Sequence, residues 1–317
     1  MEAGVRVGLI KGIIMSETKN FAVTGVAGYI APRHLQAIKD TGNRLVAAVD
    51  PHDSVGILDR YFFDVAFFRE FERFDRHVEK LRRSKSDYKV DYVSICSPNY
   101  LHDAHIRFAL REQADAICEK PLVLNPWNCD ALQELEQESG KRIYTVLQLR
   151  LHPAVLALKE KFSASAFDGR KHQVTLKYIA GRGKWYLYSW KGNVEQSGGL
   201  ATNIGVHFFD MLMWVFGGVE NSEICISEPT RMTGELELER ACVKWELAIN
   251  KDYLPPACAD TGQTTYRSIA VDGEEVEFSD GFTDLHTRVY EDILSGGGFG
   301  VEDARPSIEL VHDLRCK

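Results

Sequence analysis

The residue with the most chemical potential is Lys120, in the run Ala116-Ile117-Cys118-Glu119-Lys120-Pro121-Leu122. The run reads as a buried strand ending in an acid, a base and a proline, since Pro121 cannot donate to a sheet ladder. In a parallel sheet that stop lies at the carboxyl ends of the strands, where open α/β sheets bind ligands. A lysine held there among apolar neighbours has its pKa lowered, which suits it to proton transfer. His207 is the second candidate. It follows Gly198-Gly-Leu-Ala-Thr-Asn203-Ile-Gly-Val and heads a segment, through Phe216, that is apolar nearly all round. Such a helix belongs in a core. Asn203 and His207 share one of its faces if the helix begins early enough. A lone buried histidine also fits an ordinary hydrogen-bonded core position, and the glycine-rich approach favours function.

A third stretch, Tyr178-Ile-Ala-Gly-Arg182-Gly-Lys184-Trp185-Tyr186-Leu-Tyr188-Ser-Trp190-Lys191, interleaves cations with aromatics between glycines. Such a loop pairs with anionic groups and stacks on sugar or base faces. Nucleic acid would select the same residue types, but a net charge of −8 with no basic run argues against that partner. No set of His, Cys and carboxylates has metal-ligand spacing, so hydride transfer without a metal is the expected chemistry.

Elements that could position these residues are legible in order. Phe21-Ala-Val-Thr enters the loop Gly25-Val-Ala27-Gly28-Tyr29-Ile30-Ala31, and Pro32 suits the first turn of a helix to about Asp40. Leu45-Val-Ala-Ala-Val-Asp50 follows, an apolar run of the kind buried on both faces of a sheet. As a dinucleotide fingerprint the loop is imperfect. From Gly25, the second glycine position holds Ala27 and the third Ile30, with Gly28 extra. Its place between strand and helix, with Asp50 at the next strand tip, is what carries the reading. Asp50 would accept from adenosine ribose hydroxyls and repel a 2′-phosphate, favouring NAD over NADP. Further strands are expected at 65–68, 91–96, 116–119 and 143–147, alternating with helices. This is a doubly wound parallel sheet.

After Gln148 the pattern becomes strand-rich, with runs at 172–180, 224–227, 235–250 and 268–278. Asp272-Gly273 is a hairpin signal. The division expected is a dispensable extension over 1–14, a nucleotide-binding Rossmann domain over 15–148, and an α+β domain on a largely antiparallel sheet over 149–317. A chain of 317 residues with 44% hydrophobic and 26% charged residues suits two such globular units. No uninterrupted apolar run reaches the ~20 residues of a membrane span. The cysteines at 96, 118, 129, 225, 242, 258 and 316 are scattered without a CxxC, the usage of reduced thiols in a cytoplasmic protein.

Together the βαβ loop with Asp50, Ser97-Pro98-Asn99 with His102, Glu119-Lys120-Pro121, and Gly198-Gly199 leading to His207 resemble the glucose–fructose oxidoreductase/inositol dehydrogenase family. Within it, Gly25-Val-Ala-Gly-Tyr-Ile-Ala-Pro-Arg-His, Gln148-Leu-Arg150-Leu-His-Pro, Gly181-Arg-Gly-Lys-Trp-Tyr and Asp303-Ala-Arg-Pro-Ser look like the subgroup that oxidises UDP-N-acetylglucosaminuronic acid at C3″. That subgroup serves the synthesis of diacetamido-uronic acids of bacterial lipopolysaccharide O-antigen.

The resemblance implies NAD held by Gly25, Ala27, Gly28, Tyr29, Ile30, Asp50, Ser97, Pro98, Asn99, His102, Glu119 and Lys120. It implies Lys120 and His207 as the catalytic pair, from different domains. Substrate contacts would come from Gln148, Arg150, Arg182, Lys184, Trp185, Tyr186, Asn203 and His207. Asn203 stands where the wider family often has Asp, which leaves a neutral hydrogen-bonder there. Glu119 is expected to point toward the cofactor ribose while Lys120 and His207 face the sugar. The resemblance further implies 2-oxoglutarate as reoxidant of bound NADH, and a homodimer or homotetramer built through the second sheet. The rivals are a free-sugar or inositol dehydrogenase of this fold and a non-catalytic NAD/sugar sensor. Retention of Lys120 and His207 speaks against the sensor.

Overall fold

The computed structural model describes residues 17–164, 169–260, 262–276 and 283–317; the expected extension over 1–14 lies outside them. Two six-stranded sheets organise the chain. The first is wholly parallel: β1 (Asn20–Thr24), β2 (Arg44–Val49), β3 (Ala66–Phe68), β4 (Tyr92–Ile95), β5 (Asp115–Cys118) and β6 (Ile143–Thr145). Between and after them run α1 (Ala31–Asp40), α2 (Phe71–Arg83), α3 (His102–Arg111), α4 (Pro126–Ser139) and α5 (Pro153–Ala164). The strand order is β3-β2-β1-β4-β5-β6. It reverses between β1 and β4, so the loops leaving those strands part there and open the crevice in which doubly wound sheets bind nucleotides. Separate apolar clusters include Ala22, Ile95, Phe108 and Ile143 on one side, and Phe21, Val23, Leu35 and Ile117 on the other. That is why the strands read as continuous apolar runs.

The second sheet is mixed. Its strands are β7 (His172–Ala180), β8 (Val219–Glu228), β9 (Arg231–Leu238), β10 (Ala241–Ala248), β11 (Thr265–Val271) and β12 (Glu274–Glu275), in the order β12-β11-β7-β10-β9-β8. Only β7 and β10 pair in parallel; the rest are antiparallel. The expected run 235–250 is two strands, because Glu239-Arg240 turns the chain back. Asp272 and Gly273 both have positive φ, 52° and 85°, which closes the β11–β12 hairpin where that dipeptide signalled it. Residues 277 and 278 of the expected last strand lie outside the described ones.

Between β7 and β8 lie the short helices α6 (Trp185–Tyr188) and α7 (Val194–Ser197), a π-helical turn (Ala201–Gly205) and α8 (Val206–Phe216). The stretch Val194–Phe216 is long and apolar enough, by length and composition, to cross a bilayer, but 78% of its most apolar window is buried inside the fold. Phe208, Phe209, Leu212 and Phe216 pack with Leu176, Trp245 and Leu247 of the sheet. It is a core helix.

α9 (Pro256–Asp260), α10 (Leu285–Leu294) and α11 (Val301–Cys316) complete the chain. Although α10 follows the second sheet in sequence, Val289, Tyr290 and Ile293 join the core of the first. One end of α11 (Val301, Ala304, Ile308) sits in the first core and the other (Leu310, Val311, Leu314) in the second. The two sheets are thereby clamped into one body.

Candidate active site

The nucleotide end of the crevice is built by β1, β2 and α1. Gly25 has φ +75°, and a Cβ there would lie 2.6 Å from the Cys96 carbonyl oxygen; one on Gly28 would meet the Gly25 carbonyl at 2.9 Å. Any side chain at Gly25 would be strained and would collide with the backbone at Cys96 and Ser97, so only glycine lets β1 and β4 leave the sheet this close together. The Asp50 carboxylate is 6% exposed. It accepts from the Ala27 N–H at 3.0 Å and the His52 N–H at 2.9 Å. Each oxygen keeps lone pairs for a ribose hydroxyl. Tyr29 projects into solvent, and Ile30 precedes the first turn of α1, whose amides face an incoming anion. These residues fit a dinucleotide.

At the tips of β4 and β5 the expected cofactor residues separate into two groups. Ser97 Oγ lies 2.8 Å from His105 Nδ1, and Asn99 donates to the Ser197 carbonyl at 2.9 Å and to Asn203 Oδ1 at 3.3 Å. Asn99 therefore ties the first sheet's rim to the segment that leads into α8. His102, expected beside the cofactor, lies between two backbone carbonyls. It is 1% exposed, with Nδ1 2.7 Å from the Pro121 carbonyl and Nε2 2.9 Å from that of Ser97. Lodged between those two carbonyls, with one N–H to donate, it braces the rims of β4 and β5. The Lys120–Pro121 peptide between them is cis.

Glu119, expected to turn away from Lys120, is engaged within the chain. It is buried, and its Oε1 receives His34 Nε2 and His286 Nε2, each at 3.0 Å, so the carboxylate turns toward α1 and α10. Burial works against its charge, but the two histidine donors win and hold its pKa well below the usual carboxylate range. His34 Nδ1 meets the Tyr290 hydroxyl at 2.7 Å, which meets Ser94 Oγ at 2.6 Å. The sequence spacing hides this cluster: positions 34, 119 and 286 come together only through the packing of α1 on α10. Their ligand atoms lie within 4.8 Å of one another, and both histidine Nε2 atoms already bond to Glu119 Oε1. His34 does stand in the sequence motif that opens at Gly25; nothing local marks His286.

Lys120 faces the other way. Its Nζ donates to the Asn203 carbonyl at 3.0 Å. Gly198 and Gly199 (φ +78° and +79°) lead into the π-helical turn that carries Asn203, one turn before His207 on α8. A π turn shifts side chains out of α register and is common at functional sites. Here it lets the Asn203 carbonyl reach Lys120 while its side-chain amide donates to the buried Tyr186 hydroxyl at 2.6 Å. Burial lowers the pKa of Lys120 against the opposing charge of Glu119. For His207, burial first and Lys120 second push it well below the ordinary histidine range. Both causes disfavour the imidazolium, so the ring is held in its neutral form.

The aromatic–cationic loop delivers a further cation to the same place. Lys191 Nζ lies 3.9 Å from the centroid of the Trp190 ring. Burial, then Lys120 and Arg182, lower its pKa to about 8. Among the described residues none of Lys120, Arg182, Lys184 or Lys191 forms a salt bridge. Arg182 and Lys184 are exposed, as is Trp185 on α6.

Arg150, expected to contact substrate, has partners within the chain. Its guanidinium meets Asp210 at 2.8 and 3.0 Å and Asp303 Oδ1 at 3.2 Å, and it is 7% exposed. It staples the 3-10 turn Gln148–Leu151 to α8 and α11 and has no free face for a substrate. Its neighbour Gln148 instead holds a buried Oε1 with no hydrogen-bond partner among the described residues.

A doubly wound sheet with a dinucleotide crevice, a lysine at its rim and an imidazole brought to it by the second domain, defines an oxidoreductase that works on a bound nucleotide cofactor. The chain belongs to the oxidoreductase family whose NAD-binding Rossmann fold matches residues 19–147 and whose C-terminal alpha/beta domain matches residues 169–254. It is an NAD-dependent oxidoreductase. It is 52% identical to the WlbA (WbpB) dehydrogenase of Thermus thermophilus, solved with NAD and alpha-ketoglutarate, over 94% of this chain and 95% of that one, with a TM-score of 0.90. The same enzyme has been solved with NAD and UDP-GlcNAcA. WlbA of Bordetella pertussis shares the fold at 18% identity, with a TM-score of 0.74 over 94% and 95% of the two chains. Among curated relatives, the D-glucoside 3-dehydrogenase of Escherichia coli is 29% identical over 132 residues, 41% of this chain. The matches span only 36% to 56% of those relatives' own length.

Proposed function

We propose that this chain oxidises the C3 hydroxyl of a UDP-linked N-acetylated uronic acid, UDP-GlcNAcA, to the 3-keto sugar. One observation carries the reading: Lys120, Lys191 and Arg182 lie close to one another, Lys120 beside the His207 imidazole, and among the described residues none of the three cations forms a salt bridge. Such a pocket takes a polyanion that also carries a secondary alcohol. The Thermus enzyme, solved with UDP-GlcNAcA, supports the choice of sugar.

NAD, held by Asp50 and the Gly25 loop, supplies the hydride acceptor. The protein's own task is the proton. Neutral His207 takes it from the hydroxyl, while the Lys120 ammonium, held by the Asn203 carbonyl, donates to the oxygen as charge builds there. Gln148 offers its unpartnered Oε1 to a sugar hydroxyl, and Tyr186 fixes Asn203 from behind. The same cations would receive 2-oxoglutarate as the second substrate that restores the oxidised cofactor. We assign the activity to the cytoplasm, where the seven free thiols would stay reduced. There it would serve the route to lipopolysaccharide diacetamido-uronic acids. The exposed outer face of the second sheet, with Thr175, Lys177, Glu235 and Lys244, is assigned to pairing with further copies of the chain.

The test is absorbance at 340 nm with a panel of UDP-sugars, free sugars and inositol, with and without 2-oxoglutarate. Turnover restricted to UDP-GlcNAcA is expected. Preference for a free sugar or inositol would replace this reading with the rival dehydrogenase, and tight sugar binding with no turnover on any substrate would replace it with a sensor.

A further inference from the structure

The buried chain Ser94–Tyr290–His34–Glu119–His286 passes through Glu119, one residue from Lys120. Its hydrogen bonds can be assigned throughout. An ionised carboxylate only accepts, so both histidines carry a proton on Nε2. His34, kept neutral by burial, then accepts at Nδ1 from the Tyr290 hydroxyl, which accepts from Ser94. The bonds that link the chain are consistent from end to end, and Glu119 Oε1 is committed to α1 and α10. Its second oxygen takes only the Lys120 backbone N–H, at 3.3 Å.

We propose that His34 and His286 are positioning residues for the reaction: they hold the Glu119 carboxylate toward α1 and α10 and so keep it from pairing with the Lys120 ammonium. The inference rests on the assignment of Lys120 and His207 as the proton-handling pair. A lysine and a glutamate adjacent in sequence at a strand end, in a crevice with other cations, would otherwise close on each other. A Lys120 paired in that way could not donate to a substrate oxygen. His286 has a further consequence, because it comes from the last part of the chain. Docking of α10 on α1 then sets the state of the site, although neither helix lines it.

The ionisable groups near Glu119 are His34, His286, Tyr290, Cys96, Cys118, His102, His207 and Lys120. Those near Lys120 are Glu119, His102, Lys191 and His207. Removing a histidine donor should therefore move Lys120 in one direction, and removing the Glu119 charge should move it in the other.

The experiment titrates the Lys120 amine in NAD-saturated enzyme by its pH-dependent acylation with acetic anhydride, read by mass spectrometry on the peptide that carries it. No sugar is needed, so a wrong substrate leaves this result intact. His286→Phe should raise the midpoint by about one pH unit, the scale of a close carboxylate–ammonium pairing. His286→Gln, which keeps a donor, should restore it, and Glu119→Gln should lower it. The limbs of the kcat/KM profile should move in the same directions on whichever substrate turns over. Glu119→Gln keeps the side-chain shape and serves alone if the phenylalanine variant does not fold. Midpoints unchanged in both variants, with losses that only track Tm, would make the cluster a structural staple and overturn the proposal.

Discussion

Two clusters of charge meet near α8, and they are built on opposite principles. In the first, Arg150 is enclosed by Asp210 and Asp303, bidentate to one and bonded to both the side chain and the carbonyl of the other. Buried in that way, an ion pair is closed: each charge finds its counter-charge within the chain. In the second, Lys120, Lys191 and Arg182 lie close together without a salt bridge among the described residues, and the neighbouring carboxylate, Glu119, is bound by His34 and His286. Like charges depress each other's pKa and cost stability unless something else neutralises them. A protein that closes one cluster and leaves another open marks the open one for a ligand. Both arginines had been read from sequence as substrate contacts; only the charge balance around each tells them apart.

This comparison can be broken at several points. The largest effect belongs to the open cluster's chemistry. Lys120→Met and His207→Asn should each lower kcat by about 10²–10⁴, the worth of a positioned acid–base group, with little change in Tm. Near-normal turnover in the His207 variant would return that residue to the core.

The closed cluster should answer in stability instead. Arg150→Met leaves Asp210 buried without its partner and should cost about 3–5 kcal/mol of unfolding free energy, measured by denaturant titration. KM for the sugar nucleotide should move little in the folded fraction. A large KM change at unaltered stability would make Arg150 a substrate contact after all.

Next comes binding at the open cluster. Arg182→Ala with Lys191→Met should weaken the sugar nucleotide by roughly 2–4 kcal/mol where both meet desolvated anionic groups, while NAD affinity holds; calorimetry reads both. In the unmodified protein the sign with pH is set by Lys191. Its proton is lost as pH rises through about 8, so an anionic ligand should bind less tightly above that pH and more tightly below it. Lys191→Met should flatten this dependence.

The smallest effect is at the far end of the crevice. Replacing Asp50 with serine removes charge-assisted acceptors worth about 1.5–3 kcal/mol and should raise the Kd for NAD. An arginine added beside it should shift preference toward NADP. A wild-type preference for NADP would show that Asp50 does not face the ribose.

The parallel sheet, its glycine loop and the acid at the second strand tip were legible because each depends on local rules. Buried parallel strands are apolar throughout, glycine marks a backbone no other residue can follow, and Pro121 stops a strand. The mixed second sheet was legible as strand-rich, though the turn at Glu239-Arg240 was missed, since its residues carry no strong turn signal. The family and its NAD cofactor also followed from motifs spaced along the chain.

What tertiary structure alone decided is which way side chains turn and what they meet. Glu119 and Lys120 are neighbours in sequence, yet one binds histidines from α1 and α10 and the other a carbonyl of the π turn. Nothing local distinguishes Arg150 from Arg182, because whether a guanidinium is spent or available depends on carboxylates far along the chain. His102 is hidden behind the rim for the same reason. The amino-acid sequence on its own determines periodicity, breakers and motif chemistry, all of which are short-range. Charge balance and direction are sums over residues from distant segments, and those sums exist only once the chain has folded.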